Sequence, residues 1–575
     1  MLAESAASAA ATALLAEFIA SGVTDLVLSP GSRSQALAIA AAQFERAGLL
    51  RLRVRIDERS AGFLALGIAV ETKRPVLLVV TSGTAVAELH PAVLEASHSG
   101  VPLIVLSADR PAELLGVGAN QTTVQPGIFG GAVESSWDVA APGGAGGGTG
   151  DSALDDDAAA SARALVVEVL EGIRGPRHVN LAYREPLSSP VRLPDIEPGD
   201  WRPTPAPLEV LELQPGPGTV VVAGAGAGAE AEAAARALGA PLLAEVSSGA
   251  RFGPNLVAAY RELLRAANFG DRIERVVVFG HPTLSREVPA LIQSDRVETI
   301  VVRGAGRDDY NPGHRVSRFA DAVTIAEGPA ALEASRSWVG RWVQTSRALL
   351  EELEAADPGT APGAALTDDY RERAEFARTQ LEALRAPVTR RALALAVWNA
   401  SWPHDRLVLA SSRLIRELDR VAPGKKIPVH SNRGLAGIDG TIATATGIAL
   451  AQQSADRGGP APGITRVLLG DLAMLHDAGS LLAGVGEERP RMQLIVGNDG
   501  GGTIFDDLEV AATFAAGSAD AALLDRVMLT PQRVDLAALA AAYGWEYRLV
   551  TNRGELDPAL TPRDERVLIE VPLER

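Results

Sequence analysis

"VLLGDLAMLHDAG" at 467–479 and "LIVGNDGG" at 494–501 decide how this chain is read. Each opens on an apolar run that does not alternate with polar residues, as expected of a strand buried on both faces of a parallel sheet. Each then breaks at a glycine into a polar residue: Asp471 follows Gly470, and Asn498 follows Gly497. Ligands of parallel sheets bind at the carboxyl ends of strands, and neighbouring strands would bring Asp471 and Asn498 within reach of one ion. A hard cation takes oxygen ligands, namely a carboxylate, an amide oxygen, a backbone carbonyl and phosphate oxygens. The glycines at 500 to 502 would let backbone approach the ion and leave a carbonyl free. The plain alternative is that Asp471 caps the helix expected over "LAMLHDAGSLL". Spacing alone leaves both readings open.

The same pattern extends outward. In "TDLVLSPGSRSQALAIAAA" (24–42), "RPVLLVVTSGTAVAELHPAVLEA" (74–96) and "VPLIVLSADRP" (101–111), short β-branched or Leu-rich runs alternate with Ala-rich helical stretches. This is α/β architecture, expected as three consecutive doubly wound parallel-sheet domains over 1–190, 205–345 and 385–575. A proline-rich connector at 188–210 and the breaker "AADPGTAPGAA" at 355–365 separate them. "APGGAGGGTGDSALDDDAAA" (141–160) reads as a flexible loop.

The formal charge of −17 argues against a nucleic-acid or anionic-membrane surface. The absence of cysteine excludes disulfides, thiolate zinc sites and Cys nucleophiles, and it fits a cytoplasmic location. The apolar N-terminus lacks a basic region and is interrupted by Glu4 and Glu17, so an Ala-rich first helix is expected rather than a signal peptide. No membrane span is expected. "VVVAGAGAGAE" (220–230) imitates a dinucleotide fingerprint through Gly224, Gly226 and Gly228, with Ala229 in place of a further glycine and Glu245 at the distance of a ribose contact. A tight strand-to-helix turn explains it as well.

Gly470-Asp471 followed by Asn498 resembles the diphosphate-binding signature of thiamine-diphosphate-dependent enzymes. The resemblance implies thiamine diphosphate as cofactor and Mg²⁺ (or Mn²⁺) held by Asp471, Asn498 and the carbonyl of Gly500, with Leu472, Ser411 and Ser412 beside the diphosphate. It makes 385–575 the diphosphate domain, 1–190 the pyrimidine domain and 205–345 a central unit of nucleotide-fold shape. The family also requires a glutamate against the aminopyrimidine ring, and Glu58 in "RVRIDERSAGFLALGIA" matches it. Ile438 in "SNRGLAGIDG" (431–440) would be the apolar buttress under the bent cofactor.

"SPGSRSQALA", "TSGTAVAEL", "GANQT" and "NDGGGTIF" narrow the resemblance to the carboligases of menaquinone biosynthesis. These join 2-oxoglutarate to isochorismate with loss of CO₂, giving 2-succinyl-5-enolpyruvyl-6-hydroxy-3-cyclohexene-1-carboxylate. Two dianions must then be held, and arginine pairs carboxylates bidentately. The positions implied for substrate are Arg33, Arg110, Arg416, Arg433 and, from the central unit, Arg286. Ser32, read as opening a helix, and Asn120 and Gln121 complete the set. Phe505 departs from the family spacing and is left out. Because such enzymes hold the two ends of the cofactor on different subunits, a homodimer or homotetramer is implied. The alternatives are another 2-oxoacid decarboxylase, though the chain has no adjacent His-His pair, or an acetolactate-synthase-like carboligase, which would not need so many loop arginines.

Overall fold

In the computed structural model, residues 5–142, 151–203, 208–327, 329–355, 368–454, 463–512, 519–563 and 565–575 are described. The first strands are β1 (Asp25–Leu28), β2 (Arg51–Val54), β3 (Val76–Val80), β4 (Leu103–Asp109), β5 (Ser135–Val139) and β6 (Arg177–Ala182). They form one sheet in the order β2-β1-β3-β4-β6-β5. Next come β7 (Val210–Leu213), β8 (Thr219–Ala223), β9 (Leu242–Ala244), β10 (Arg275–Phe279), β11 (Glu298–Val302), β12 (Arg318–Ala320) and β13 (Ala322–Ile325). β7 pairs with β13 alone, and the others make a second sheet, β12-β11-β10-β8-β9. The third sheet uses β14 (Arg406–Leu409), β15 (Val429–His430), β16 (Thr465–Gly470), β17 (Met492–Asn498), β18 (Glu546–Leu549) and β19 (Val567–Pro572), in the order β15-β14-β16-β17-β19-β18. All strand pairings among the described residues are parallel.

The uninterrupted apolar runs are explained by burial on two faces. Leu26, Leu28, Leu77, Val79, Ile104 and Leu106 point into one core, while Val27, Val76, Leu78, Val80, Leu103 and Val105 point into another. The third sheet divides in the same way, with Leu407, Leu409, Leu468 and Ile495 on one side and Val408, Val467, Leu469 and Val496 on the other. A strand covered on one face would have alternated.

The second core of the first sheet also contains Ala443, Leu450 and Ala451, which belong to the helix Thr441–Ser454 of the third unit. That helix crosses the helix Glu58–Thr72 at backbone distance. A Cβ on Gly67 would stand 2.0 Å from the Thr444 carbonyl oxygen, and one on Gly447 would stand 2.2 Å from that of Leu64. Each helix therefore presents a glycine to the other's carbonyl. Asp57 caps the first helix through the N–H of Ser60, at 3.2 Å. Asp477 caps the second by accepting from Ile442 and Ala443, at 2.7 and 3.0 Å.

The structure corrects three expectations. Residues 151–160 are not loop: they begin the helix Asp151–Leu170. The Ala and Asp content was read as linker, but Ala is the strongest helix former and acidic residues suit a first turn. Residues 143–150 of that stretch, and 356–365 of the expected breaker, lie outside the described residues. Ser32 does not open a helix, because the helix starts at Gln35 with Ser34 in the cap position. Asp471 is the first residue of its helix and Gly470 is the cap. Gly224 to Gly228 do join β8 to a helix, Gly228–Leu238. A Cβ on Gly224, however, would fall 2.1 Å from the nitrogen of Pro282, so this glycine admits the 281–282 backbone. No helix among the described residues is long and apolar enough to cross a membrane.

Replacing a helical glycine with alanine normally gains roughly 1 kcal/mol. At Gly67 the added methyl meets the Thr444 carbonyl, and overpacking of this kind costs about 1–3 kcal/mol. Gly67→Ala should lower the thermal unfolding midpoint. Gly340→Ala, in a helix where a Cβ meets nothing within 4 Å, should not lower it. Equal shifts in the two variants would remove the crossing as a constraint.

Candidate active site

β16 and β17 pair in register, with Gly470 opposite Gly497. Asp471 and Asn498 are the next residues on each chain, so they emerge side by side at the carboxyl edge of the third sheet, where neighbouring strands lie roughly 4.8 Å apart. β14, on the other side of β16, ends one residue before Ala410 and leads to Ser411 and Ser412. A Cβ on Gly470 would lie 4.0 Å from that of Ser412. Three adjacent strand tips thus gather Ser411, Ser412, Gly470, Asp471, half-buried Leu472, Asn498 and Gly500.

Burial and the charge of Asp499 raise the Asp471 carboxyl to about 6, against the opposing pull of the backbone N–H groups of Leu472, Asp471 and Gly501. No cationic side chain pairs with it among the described residues. A desolvated carboxylate beside a second acid and without a cation suits a divalent metal. Asp499 itself is bound by Arg390, at 2.9 and 3.0 Å, and by the Thr503 hydroxyl.

The amide of Asn498 is oriented from behind. Its Nδ2 donates to Glu570 Oε1 at 2.7 Å, and Tyr547 donates to the other oxygen of Glu570, also at 2.7 Å. With the nitrogen committed, Oδ1 faces the glycine loop, where the Gly500 N–H approaches at 3.3 Å. The loop packs on the backbone of a later segment: a Cβ on Gly501, whose φ is +140°, would sit 2.2 Å from the Leu529 carbonyl. Among the described residues no three His, Cys, Asp or Glu side chains converge on one metal position. The oxygen set therefore consists of one carboxylate, one amide and backbone, which leaves room for phosphate.

Arg433, following β15, is 3% exposed. Its Nε and Nη2 donate to the Thr283 hydroxyl at 2.9 and 2.7 Å, Nη2 also reaches the Thr283 carbonyl at 3.4 Å, and Nη1 donates to Ser411 Oγ at 3.0 Å. Every partner is a neutral oxygen. A buried guanidinium without a carboxylate in contact keeps its charge for an incoming anion. Arg416 donates to the Ser412 carbonyl at 3.0 Å, and burial lowers its pKa. Arg286 is exposed at the start of the helix Glu287–Ile292, three residues after Thr283. Ile438 is half-buried against the core of the third unit, in a loop that Glu95 of the first unit grips by accepting from Gly434 and Leu435, both at 2.8 Å.

A second group collects at the ends of β1, β3 and β4. Arg33 is buried and donates to the Tyr183 carbonyl at 3.1 Å; burial and the charge of Arg110 lower its pKa. Arg110 donates to Ser82 Oγ and to the Gln121 carbonyl, both at 2.6 Å, while Gln121 returns a bond to the Ser82 carbonyl at 3.1 Å. Ser32 and Asn120 are exposed beside them in sequence.

Glu58 stands apart. Half-buried at the start of its helix, it makes no side-chain hydrogen bond or ion pair with a described residue, although its neighbours do. Arg59 reaches Asp477 at 3.4 Å, and Ser60 meets Ser480 at 2.8 Å. No recorded bond joins Glu58 or the Arg33–Arg110 group to Asp471 or Asn498. Sequence reading did not single out Glu570, Tyr547, Arg390, Thr283 or Glu95. The one available signal was Glu570, a lone acid inside the buried run "VLIEVP".

Residues 9–128 match a family model described as "Thiamine pyrophosphate enzyme, N-terminal TPP binding domain". The chain is 56% identical to the 2-succinyl-5-enolpyruvyl-6-hydroxy-3-cyclohexene-1-carboxylate synthase of Leifsonia xyli subsp. xyli, covering 98% of this chain and 96% of that one. It is 55% identical to the synthase of the same name from Clavibacter michiganensis subsp. michiganensis, with the same coverage of both chains. The Rhodococcus jostii synthase is 38% identical over 99% of this chain and 97% of its own.

The raised pKa of Asp471 means that the folded state binds this proton more tightly than the unfolded chain does. Ionising it therefore costs stability, and the cost appears as pH rises from the usual carboxylate range through about 6. In metal-free, cofactor-free protein, Asp471→Asn should be more stable than wild type by roughly 1–3 kcal/mol at pH 7.5 and no more stable near pH 4. Thermal unfolding across that range checks it.

Proposed function

This chain belongs to the 2-succinyl-5-enolpyruvyl-6-hydroxy-3-cyclohexene-1-carboxylate synthase family of thiamine-diphosphate-dependent transferases, and from that premise we propose how its residues divide the work. The substrates are 2-oxoglutarate and isochorismate, joined with loss of CO₂ on the route to menaquinone. Residues 385–575 hold the diphosphate of the cofactor, 1–190 supply the group that acts on its pyrimidine, and 205–345 form a central unit of nucleotide-fold shape.

Asp471, Asn498 and the Gly500 carbonyl bind Mg²⁺, with Mn²⁺ as a substitute, and the backbone at Gly470 and Leu472 with the hydroxyls of Ser411 and Ser412 lies against the diphosphate. When bound, the cofactor supplies the carbon nucleophile and the electron sink for decarboxylation. Glu58 holds a proton against a ring nitrogen of the aminopyrimidine, favouring the tautomer whose exocyclic nitrogen is basic. Ile438 would offer the cofactor an apolar contact. Arg33, Arg110, Arg416, Arg433 and Arg286 bind the substrate carboxylates, and Ser32, Asn120 and Gln121 orient the remaining polar groups.

The observation that carries this reading is the register-matched pair of strand tips, one bearing a carboxylate without a cation and the other an amide whose nitrogen is already taken. Buried Arg433 with only neutral partners supports the anionic substrates. Glu58 meets the cofactor of a second copy. Its lack of a partner supports this, as do the exposed apolar side chains of Ile56, 76% accessible, and Leu482, 41%, with Val485 fully exposed. The segments carrying them are tied together by Arg55 and Val54, both bonded to Glu487, and by Ser60 to Ser480. A homodimer is the minimum active unit.

Release of CO₂ from 2-oxoglutarate should accelerate when isochorismate is added, and Glu58→Gln should lower kcat by roughly 100-fold or more. Full turnover by that variant removes Glu58 from the mechanism. Asp471→Ala should weaken Mg²⁺-dependent retention of the cofactor in equilibrium dialysis by at least about tenfold, since even indirect partners of metal ligands cost that much. Unchanged retention would remove the metal assignment.

A further inference from the structure

We infer that Glu245 is a positioning residue for Arg433, acting across the boundary between the second and third sheets through the turn at Thr283. The inference rests on the reading of Arg433 as a substrate-carboxylate ligand. Glu245 follows β9 directly and is 1% exposed. Its Oε1 accepts from the backbone N–H of Thr283 at 2.8 Å and from that of Leu284 at 2.6 Å. The turn is gripped from its other side by Arg261, which donates to the Leu284 carbonyl at 2.6 Å and to Asp419 of the third unit at 2.7 Å. Asp419 also accepts from the Val246 N–H at 2.8 Å, next to Glu245. With its backbone held on both sides, Thr283 offers Arg433 a fixed hydroxyl and carbonyl.

Arg433 donates three of its four bonds to Thr283 and the fourth to Ser411. A guanidinium has five N–H groups, so the single bond from Nη1 leaves a hydrogen there for a ligand. The direction of that hydrogen is set by Thr283, and the place of Thr283 is set by Glu245. The second oxygen of Glu245 is buried without a partner. Burial and the charge of Asp419 raise this carboxyl to about 8, which favours its protonated form near neutral pH. A protonated Glu245 holds the turn without cancelling the charge of Arg433. A direct Glu245–Arg433 ion pair would have occupied the guanidinium instead.

The test is steady-state kinetics of the full-length enzyme with both substrates. Thr283→Val and Glu245→Ala should each raise KM for the same acid by about tenfold with kcat nearly unchanged, the usual cost of a lost bond to a charged group. Glu245→Gln, which keeps an acceptor for both N–H groups and mimics the protonated acid, should stay within about twofold of wild type. In the Arg433→Ala background, Glu245→Ala should add nothing. Should Glu245→Ala fail to fold, Glu245→Asp, with its acceptor drawn back by one methylene, replaces it. The proposal is overturned if Glu245→Gln is as impaired as Glu245→Ala, if the loss falls on kcat alone, or if the effects of Glu245→Ala and Arg433→Ala are additive. If Arg433→Ala leaves both KM values unchanged, the substrate role of Arg433 fails first and this inference falls with it.

Discussion

Two helices touching backbone to backbone join the first and third sheets of this protein. Gly67 and Gly447 each stand where a methyl would enter a carbonyl of the other helix. The contact lets Ala443, Leu450 and Ala451 complete a core begun by strands some 350 residues earlier in the chain. The loops of the candidate site depend on it, because the helix Glu58–Thr72 begins at Glu58 and the helix Thr441–Ser454 begins where the loop bearing Arg433 and Ile438 ends. Asp57 and Asp477 cap these two helices, and Arg59 and Ser60 bind the 477–480 segment, so the two helix starts are locked as one unit.

Upon that frame the protein arranges charges that it leaves deliberately uncompensated. Asp471 is desolvated beside Asp499 with no cation in contact, and Arg433 is buried among neutral oxygens. Both arrangements cost stability in the protein alone, and in the proposed function a ligand of opposite sign would relieve each. The surrounding residues are satisfied in contrast: Asp499 has Arg390, Asn498 has Glu570, and Asp419 collects Tyr260, Arg261 and the Val246 N–H. The uncompensated charge is confined to the candidate site, and the scaffold around it is over-determined.

Much of the fold was legible because its signals are local. Uniform apolar runs can occur only where both faces of a strand are covered, so parallel sheets followed from "VLLG" and "LIVGN" before any contact was known. The strand-tip residues Asp471 and Asn498 were legible for the same reason, since a strand end lies one residue past the run. Local reading failed where composition pointed two ways. The Ala- and Asp-rich 151–160 has the composition of a linker and is helix, and Ser32 precedes a helix whose cap is Ser34. Glu245 imitates a ribose contact through its spacing from Gly224, whereas its carboxyl group grips a turn nearly forty residues away.

By itself, then, the sequence determined the class of sheet and the side chains available at each strand end, because periodicity and turn chemistry act over a few residues. Tertiary structure alone decided which of those side chains would be held, by what, and with which charge left open. Glu570 turns the Asn498 amide across a strand pairing, and Thr283 aims Arg433 across a gap of 150 residues. Such contacts depend on how strands are ordered and helices cross, and no local pattern encodes them.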